Sequence, residues 1–324
     1  MFFKVSVIMC VYNEENFIKD SVSSVLNQSL EDFELIIIDD GSSDNTLNII
    51  NGFDDERIKV FSWDNKGLGA SRNYGLDLAS GEYVMFLDGD DCFVENALEI
   101  AYLEASGKNT DLSFFKIINY SDKFYESDWF SWKSFDKSFD GVVFNSSDTH
   151  DFLFDMSVSA CQKIYRRSFL ENISARFPVG INFEDMPFFY YVYLSASRIS
   201  IIRDFLYVRR KHSGSITDSV DVKFLDTVEA GQILMDIFIE NGWYDAYVYD
   251  LLAYKINGPR YALMSIDGKY AEQLFLLIKK DYNAIKSSEY YEDYMLHLGP
   301  IKKKFFKNIL KAKNYEEFLK LQKS

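Results

Sequence analysis

From Val5 to Ser106 the sequence alternates short β-branched runs with segments whose apolar residues recur at helical spacing, and this alternation limits the fold more than any other feature. Val5 to Val11 reads as a strand buried on both faces. Glu14 to Gln28 carries Phe17, Ile18, Val22, Val25 and Leu26 on one helical face, with two acids in the first turn and Asn13 placed to cap it. Glu34 to Ile38, Ile58 to Ser62 and Tyr83 to Leu87 read as further strands, and Thr46 to Phe53, Gly67 to Ala79 and Val94 to Ser106 as the helices that follow them. Such alternation builds an α/β, mostly parallel, doubly wound sheet with right-handed crossovers. In sheets of this kind ligands bind beyond the carboxyl ends of the strands. Three polar clusters fall there: Tyr12-Asn13-Glu14, Asp39 to Asp44, and Asp88-Gly89-Asp90-Asp91.

The 324 residues are about two domains' worth of chain. With 48% hydrophobic and 26% charged residues the chain can bury a large core, which excludes disordered and low-complexity scaffolds. A net charge of −15 argues against nucleic acid as a partner, because cations must neutralise its phosphates. Three scattered cysteines, Cys10, Cys92 and Cys161, suit a reducing compartment. No apolar run is long enough to span a bilayer, and the N-terminal residues read as a strand, so the expected location is cytoplasmic. Leu112 to Ile118 looks like another strand, Ser121 to Asp140 like an aromatic surface excursion or lid, Glu184 to Ser195 like a helix, and Ser200 to Arg210 like one or two strands. From Ser219 onward the pattern is helical.

The most informative segment is Phe86-Leu87-Asp88-Gly89-Asp90-Asp91. Three carboxylates at the end of a hydrophobic strand repel one another unless a cation neutralises them, and hard divalent ions take carboxylate oxygens. A plain turn is the alternative, since Asp-Gly is common in turns. Asp39 or Asp40 can accept from a base N–H or a ribose hydroxyl, with Gly41 letting a ring approach the backbone, while Ser42 or Asp44 can cap the next helix. Gly67, Gly69 and Arg72 open a helix with free N–H groups and a charged fork, but in neither the dinucleotide nor the Walker arrangement. Glu184-Asp185 begins an apolar helix, where acids either balance the dipole or supply a general base. His212 follows Arg209-Arg210-Lys211 in a basic loop suited to a phosphate or a metal; His150 and His297 read as structural or surface residues.

In this order the segments resemble glycosyltransferase family 2, the inverting, non-processive enzymes of GT-A fold, over residues 3 to 216. The resemblance implies a GT-A, Rossmann-like domain with a nucleotide-sugar-binding half at 1–110 and an acceptor half at 111–216, followed by a helical region at 217–324. It implies transfer of a sugar from a nucleotide-diphosphate donor, a UDP-sugar, to a hydroxyl of a glycan or lipid-linked acceptor in cell-surface polysaccharide or glycoconjugate synthesis. Tyr12 and Asp40 would hold the uracil, with Glu14 in the same donor cluster and Arg72 and Asp88 toward the nucleoside and diphosphate. Asp90 would ligate Mg²⁺ or Mn²⁺, joined by Asp88 and by His212, which also faces the diphosphate. Asp185 would be the catalytic base, with Glu184 and Lys163 on the acceptor side. Gln-x-x-Arg-Trp does not follow Glu184-Asp185, which sets the chain apart from processive synthases.

Two other functions share parts of this pattern. A metal-dependent nucleotidylyltransferase would use the same sheet and paired Asp, but wants a Gly-rich basic loop where this chain has Val11-Tyr12-Asn13-Glu14. A catalytically inactive sugar-nucleotide-binding subunit would keep the donor cluster and lose the base. The tail is a separate matter. From Pro300 onward eight Lys face only Glu316 and Glu317, with Phe305, Phe306, Ile309, Leu310, Phe318, Leu319 and Leu321 among them. Either this segment, 300–324, makes peripheral contact with the inner face of a membrane as a basic amphipathic helix, or it packs on the protein with its lysines solvated.

Overall fold

The computed structural model describes residues 3–126, 135–212 and 221–323. The chain forms two compact units, one of Met1–Gly180 with Glu184–Ser213 and the other of Ile181–Phe183 with Gly214–Ser324. The first begins with β1 (Val5–Val11), α1 (Ile18–Leu26), β2 (Phe33–Asp39), α2 (Thr46–Ile50), β3 (Ile58–Ser62), α3 (Leu68–Leu78) and β4 (Tyr83–Asp88). After these come β5 (Cys92–Phe93), α4 (Ala97–Lys108), β6 (Leu112–Tyr120), β7 (Phe124–Tyr125), β8 (Lys163–Arg166), α5 (Arg167–Asn172), α6 (Asp185–Ser195) and β9 (Ile199–Arg210). The sheet runs β3-β2-β1-β4-β8-β6-β9-β5, with β7 paired to β6.

The expected parallel arrangement holds for β3-β2-β1-β4 and again for β6-β9. Between these blocks lies β8, antiparallel to both β4 and β6, so the sheet is mixed. β1 and β2 are buried along their whole length, which is why both are mostly apolar; their interior polar residues, Ser6 and Glu34, hydrogen-bond to each other. At their carboxyl ends Val11 pairs with Asp39 and Cys10 with Asp88, so the three polar clusters emerge side by side.

Asn13 does not cap α1. Its backbone is left-handed, with φ of 57°. Its N–H donates to Ser42 Oγ at 2.9 Å and its Oδ1 accepts from the Ser43 N–H at 2.8 Å. The carbonyl of Glu14 closes a turn onto Phe17 and Ile18, which delays the helix and leaves Asn13 tying the first polar cluster to the second. Of the 121–140 excursion, residues 127–134 lie outside the described residues, while Phe135 is buried against Phe114, Phe144 and Phe152. The Ser213-Gly214 end of the basic loop and the 216/217 boundary also lie outside them.

The second unit contains α7 (Thr227–Glu240), α8 (Tyr244–Ser265), α9 (Gly268–Lys286), α10 (Tyr291–His297), α11 (Pro300–Lys311) and α12 (Tyr315–Lys323). Phe305, Phe306, Ile309 and Phe318 are buried within it, Phe306 stacking on Tyr282 at 4.3 Å between ring centroids. The apolar face of the tail is thus already packed, and its lysines face outward. No helix among the described residues is long and apolar enough to cross a membrane.

Candidate active site

The donor end of the site begins where β2 stops. Asp40 is buried, and its Oδ1 accepts from the Trp63 indole N–H and the Lys66 N–H, each at 2.8 Å, while Oδ2 accepts from the Gly67 N–H at 2.9 Å. Asp39 accepts from the Ser42 N–H and the Ser62 hydroxyl. These bonds fold the segment after β3 against the segment after β2. The contact is close enough that a Cβ on Gly41, at φ of 81°, would lie 3.0 Å from the Asn65 nitrogen. The result is an open cleft of ≈ 650 Å³ lined by Asp39, Gly41, Ser42, Leu47, Ser62, Trp63, Asp64 and Lys66. Tyr12, at the end of β1, is half exposed. Asp44 accepts from the Thr46 N–H at the start of α2, as the capping reading of this cluster expected.

Arg72, in the second turn of α3, is the centre of the arrangement. It is 3% exposed, and its guanidinium is divided among three carboxylates. Nη1 donates to Glu184 at 2.7 Å and also to Asp185, and Nη2 donates to Asp88 at 3.1 Å. Burial alone would lower the Arg72 pKa, but the charges of Asp185 and Asp88 hold it well above its ordinary value. Burial pushes the Glu184 carboxyl up to about 7, the neighbouring Asp185 charge adding to the effect and Arg72 opposing it. Asp185 is raised as well, by burial first, with Arg72 pulling it back. Its Oδ2 accepts from the Ala160 N–H at 3.2 Å, and part of its side chain stays open to solvent.

Across the Asp88 turn, Glu14, Asp90 and His212 bring ligand atoms to within 4.8 Å of one another. His212 Nε2 lies 3.0 Å from Asp90 Oδ2, and its ring rests on Phe17. Burial pushes Glu14 up to about 8, the charges of Asp90 and Asp88 adding to it. Burial and Asp88 also raise Asp90, with His212 opposing. Two carboxylates that disfavour each other's ionisation, with an imidazole beside them, are a donor set suited to a divalent cation. Gly89 allows the turn, because a Cβ there would lie 2.8 Å from Val11 Cγ1 and 3.1 Å from Glu14 Cγ. Asp88 stands apart from this group, held by Arg72.

The structure thus brings Arg72, Asp88, Glu184 and Asp185 into one cluster and Glu14, Asp90 and His212 into another beside it. Lys163 is placed differently from its expected position on the acceptor side: it has no exposed surface. Its ammonium donates to the carbonyls of Ser159 at 2.6 Å and Ser157 at 3.2 Å, over the rings of Phe114 and Phe189. Burial drops its pKa to about 7. It holds the turn that carries Ala160, the residue whose N–H meets Asp185.

The contacts of three residues in and beside the predicted clusters had no signal in the sequence. Asp91 is buried and accepts from the Tyr207 hydroxyl at 2.6 Å and the Arg210 N–H at 2.7 Å, which fixes β9 to the acidic turn. The Tyr207 hydroxyl also receives the Asp88 N–H. Trp63 reaches Asp40 only because β2 and β3 are neighbours, and Glu14 joins the ligand group only because the turn after β1 faces the one after β4.

With this geometry the chain can be compared with known proteins. The description Glycosyl transferase family 2 matches residues 6–173. The cholesterol galactosyltransferase of Borreliella burgdorferi is 32% identical over 68% of this chain and 63% of its own length. The putative glycosyltransferase EpsH of Bacillus subtilis is 32% identical over 69% of this chain and 65% of its own. The chain therefore spans less than two thirds of either relative. Residues 1–349 of S. aureus TarS, solved in complex with UDP-GlcNAc, share the fold with a TM-score of 0.74 at 22% identity, over 99% of this chain and 91% of that one. The chain belongs to glycosyltransferase family 2, and its mixed sheet with a helical C-terminal region is the GT-A type of that family.

Proposed function

We propose that this chain is an inverting, metal-dependent enzyme that moves a sugar from a UDP-sugar to a hydroxyl of a glycan or lipid-linked acceptor. The observation that carries the reading is the Arg72 guanidinium, which joins the Asp88 turn to the Glu184-Asp185 pair. Donor and acceptor chemistry then meet at one point. The UDP-GlcNAc complex of the TarS structure supports a UDP-sugar as the donor.

In this reading Tyr12 stacks on the uracil. Asp40 accepts from it with the lone pair left over after its three internal bonds. Glu14, Asp90 and His212 would hold Mg²⁺ or Mn²⁺, which when bound neutralises charge on the departing diphosphate. Asp185 takes the acceptor proton as that oxygen attacks the anomeric carbon from the face opposite UDP, and one displacement inverts the configuration. Its pKa, raised by burial, makes it a stronger base than an exposed aspartate. Arg72 aims Asp185 and Asp88, while Glu184 and Lys163 act through Asp185.

The test is UDP release from a panel of UDP-sugars with lipid-linked and free oligosaccharide acceptors. Asp185→Asn should lower kcat by roughly 10²–10⁴ while UDP binding persists. Transfer that survives both a chelator and Asp90→Ala would overturn the proposal.

A further inference from the structure

The second unit carries a surface that the transfer reaction does not use. α11 has the sequence Pro-Ile-Lys-Lys-Lys-Phe-Phe-Lys-Asn-Ile-Leu-Lys and contains no acid. Its buried side is Phe305, Phe306 and Ile309. Lys304, Lys307 and Lys311 recur at steps of three and four on the opposite side, with Lys303 beside them and Lys302 at the helix start. Elsewhere in this unit four lysines are paired with acids: Lys255 with Asp281, Lys223 with Asp221, Lys269 with Asp267 and Lys320 with Glu316. Among the described residues none of Lys302, Lys303, Lys304, Lys307 and Lys311 forms an ion pair. In a chain of net charge −15, this is a cationic stripe left uncompensated.

Two large aliphatic side chains stand at the head of the stripe. Leu296, near the end of α10, is 72% exposed, and Ile301, in the first turn of α11, is 70% exposed. The Lys303 ammonium donates back to the Leu296 carbonyl at 3.4 Å, which ties the corner together. Packing inside the unit explains Phe305 and Phe306 but gives no account of these two.

We propose that the α10–α11 corner is a docking surface for an anionic lipid leaflet. Leu296 and Ile301 enter the headgroup layer, and Lys303, Lys304, Lys307 and Lys311 lie along the phosphates. Charge complementarity and the exposed aliphatic pair together select a leaflet over nucleic acid or another soluble polyanion, since a polyanion in water would gain nothing from Leu296 or Ile301. The packed apolar face of α11 makes this a surface contact by a folded unit and not the insertion of a free amphipathic helix.

Flotation of the full chain with phosphatidylcholine vesicles, with and without phosphatidylglycerol, tests the proposal without reference to catalysis. Binding should need the anionic lipid and fall with salt. Each lysine is worth about fivefold in partitioning, so the triple variant K304Q/K307Q/K311Q should lose on the order of a hundredfold. The pair L296S/I301S should weaken binding while leaving the thermal midpoint unchanged, because both residues are exposed. Equal binding to neutral vesicles, or no binding at all, would overturn the proposal. So would lysine-dependent binding that ignores L296S/I301S and is displaced by polyphosphate, which would mark a soluble polyanion as the occupant.

Discussion

Arg72 and Glu184 stand 112 positions apart in the chain, yet their side chains meet at 2.7 Å with both groups buried. Because Asp185 and Asp88 share the same guanidinium, one cation holds together the ends of α3, β4 and α6. Removing it leaves several carboxylates facing one another without compensation. Arg72→Ala should therefore cost about 3–5 kcal/mol, the range for stripping one partner from a buried ion pair. Arg72→Lys should fall between the two, since a compact ammonium cannot fork to three acceptors. Urea unfolding of the three proteins would check the order; a loss below about 1 kcal/mol, as for a surface pair, would refute it.

Glu184 makes stability depend on pH. Its carboxyl rises from an ordinary 4.5 to about 7 on folding, so the folded chain binds the proton more tightly than the unfolded chain does. Unfolding releases that proton between these values, and the contribution to stability falls as pH climbs from about 5 to about 7. Glu184→Gln keeps an acceptor for Arg72 but cannot titrate. Its stability should exceed that of the native chain increasingly over this window, as measured by urea midpoints at successive pH values. A difference that does not change with pH would show that Glu184 is ionised throughout.

Much of this architecture was legible in the sequence, and the gaps have a common cause. The buried parallel strands announce themselves because burial on both faces demands mostly apolar, β-branched runs, as in Val5–Val11 and Leu35–Ile38. Residues Asp88, Asp90 and Asp185 stood out because carboxylates at the ends of apolar elements are conspicuous. The strand β8 was hidden, being four residues long and set by its neighbours on both sides. The partners of each charge were also hidden. Nothing local to Lys163 says that its ammonium will be buried over Phe114 and Phe189, nor does anything near Arg72 reveal three carboxylates from elsewhere in the chain. Periodicity reports which face of an element is buried; the groups it is buried against depend on topology.

Gly89 ties the backbone of the acidic turn to the spacing of Glu14. An added Cβ would press on Val11 Cγ1 at 2.8 Å and on Glu14 Cγ at 3.1 Å. Gly89→Ala should cost about 1–3 kcal/mol through overpacking, and should push Glu14 away from Asp90 and His212. The two effects separate experimentally, because thermal denaturation reads the first and Mn²⁺ titration the second. Unchanged Mn²⁺ affinity in a destabilised variant would mean that Glu14 is not part of the ligand group.

The last prediction concerns the ion itself. Glu14 is raised to about 8 by burial and by the charges of Asp90 and Asp88, so much of it is protonated at neutral pH when no cation is present. A divalent ion must displace that proton, which makes its binding stronger as pH rises. Saturation at a hundred times the dissociation constant should add about 2.7 kcal/mol to the folded state. The rise in thermal midpoint with Mg²⁺ or Mn²⁺ should therefore be larger at about pH 8.5 than at about pH 6. Asp90→Asn removes a ligand oxygen's charge and should abolish the shift at both values, whereas Glu184→Gln, in the neighbouring cluster, should leave it intact. A shift that persists in Asp90→Asn would place the ion elsewhere in the protein.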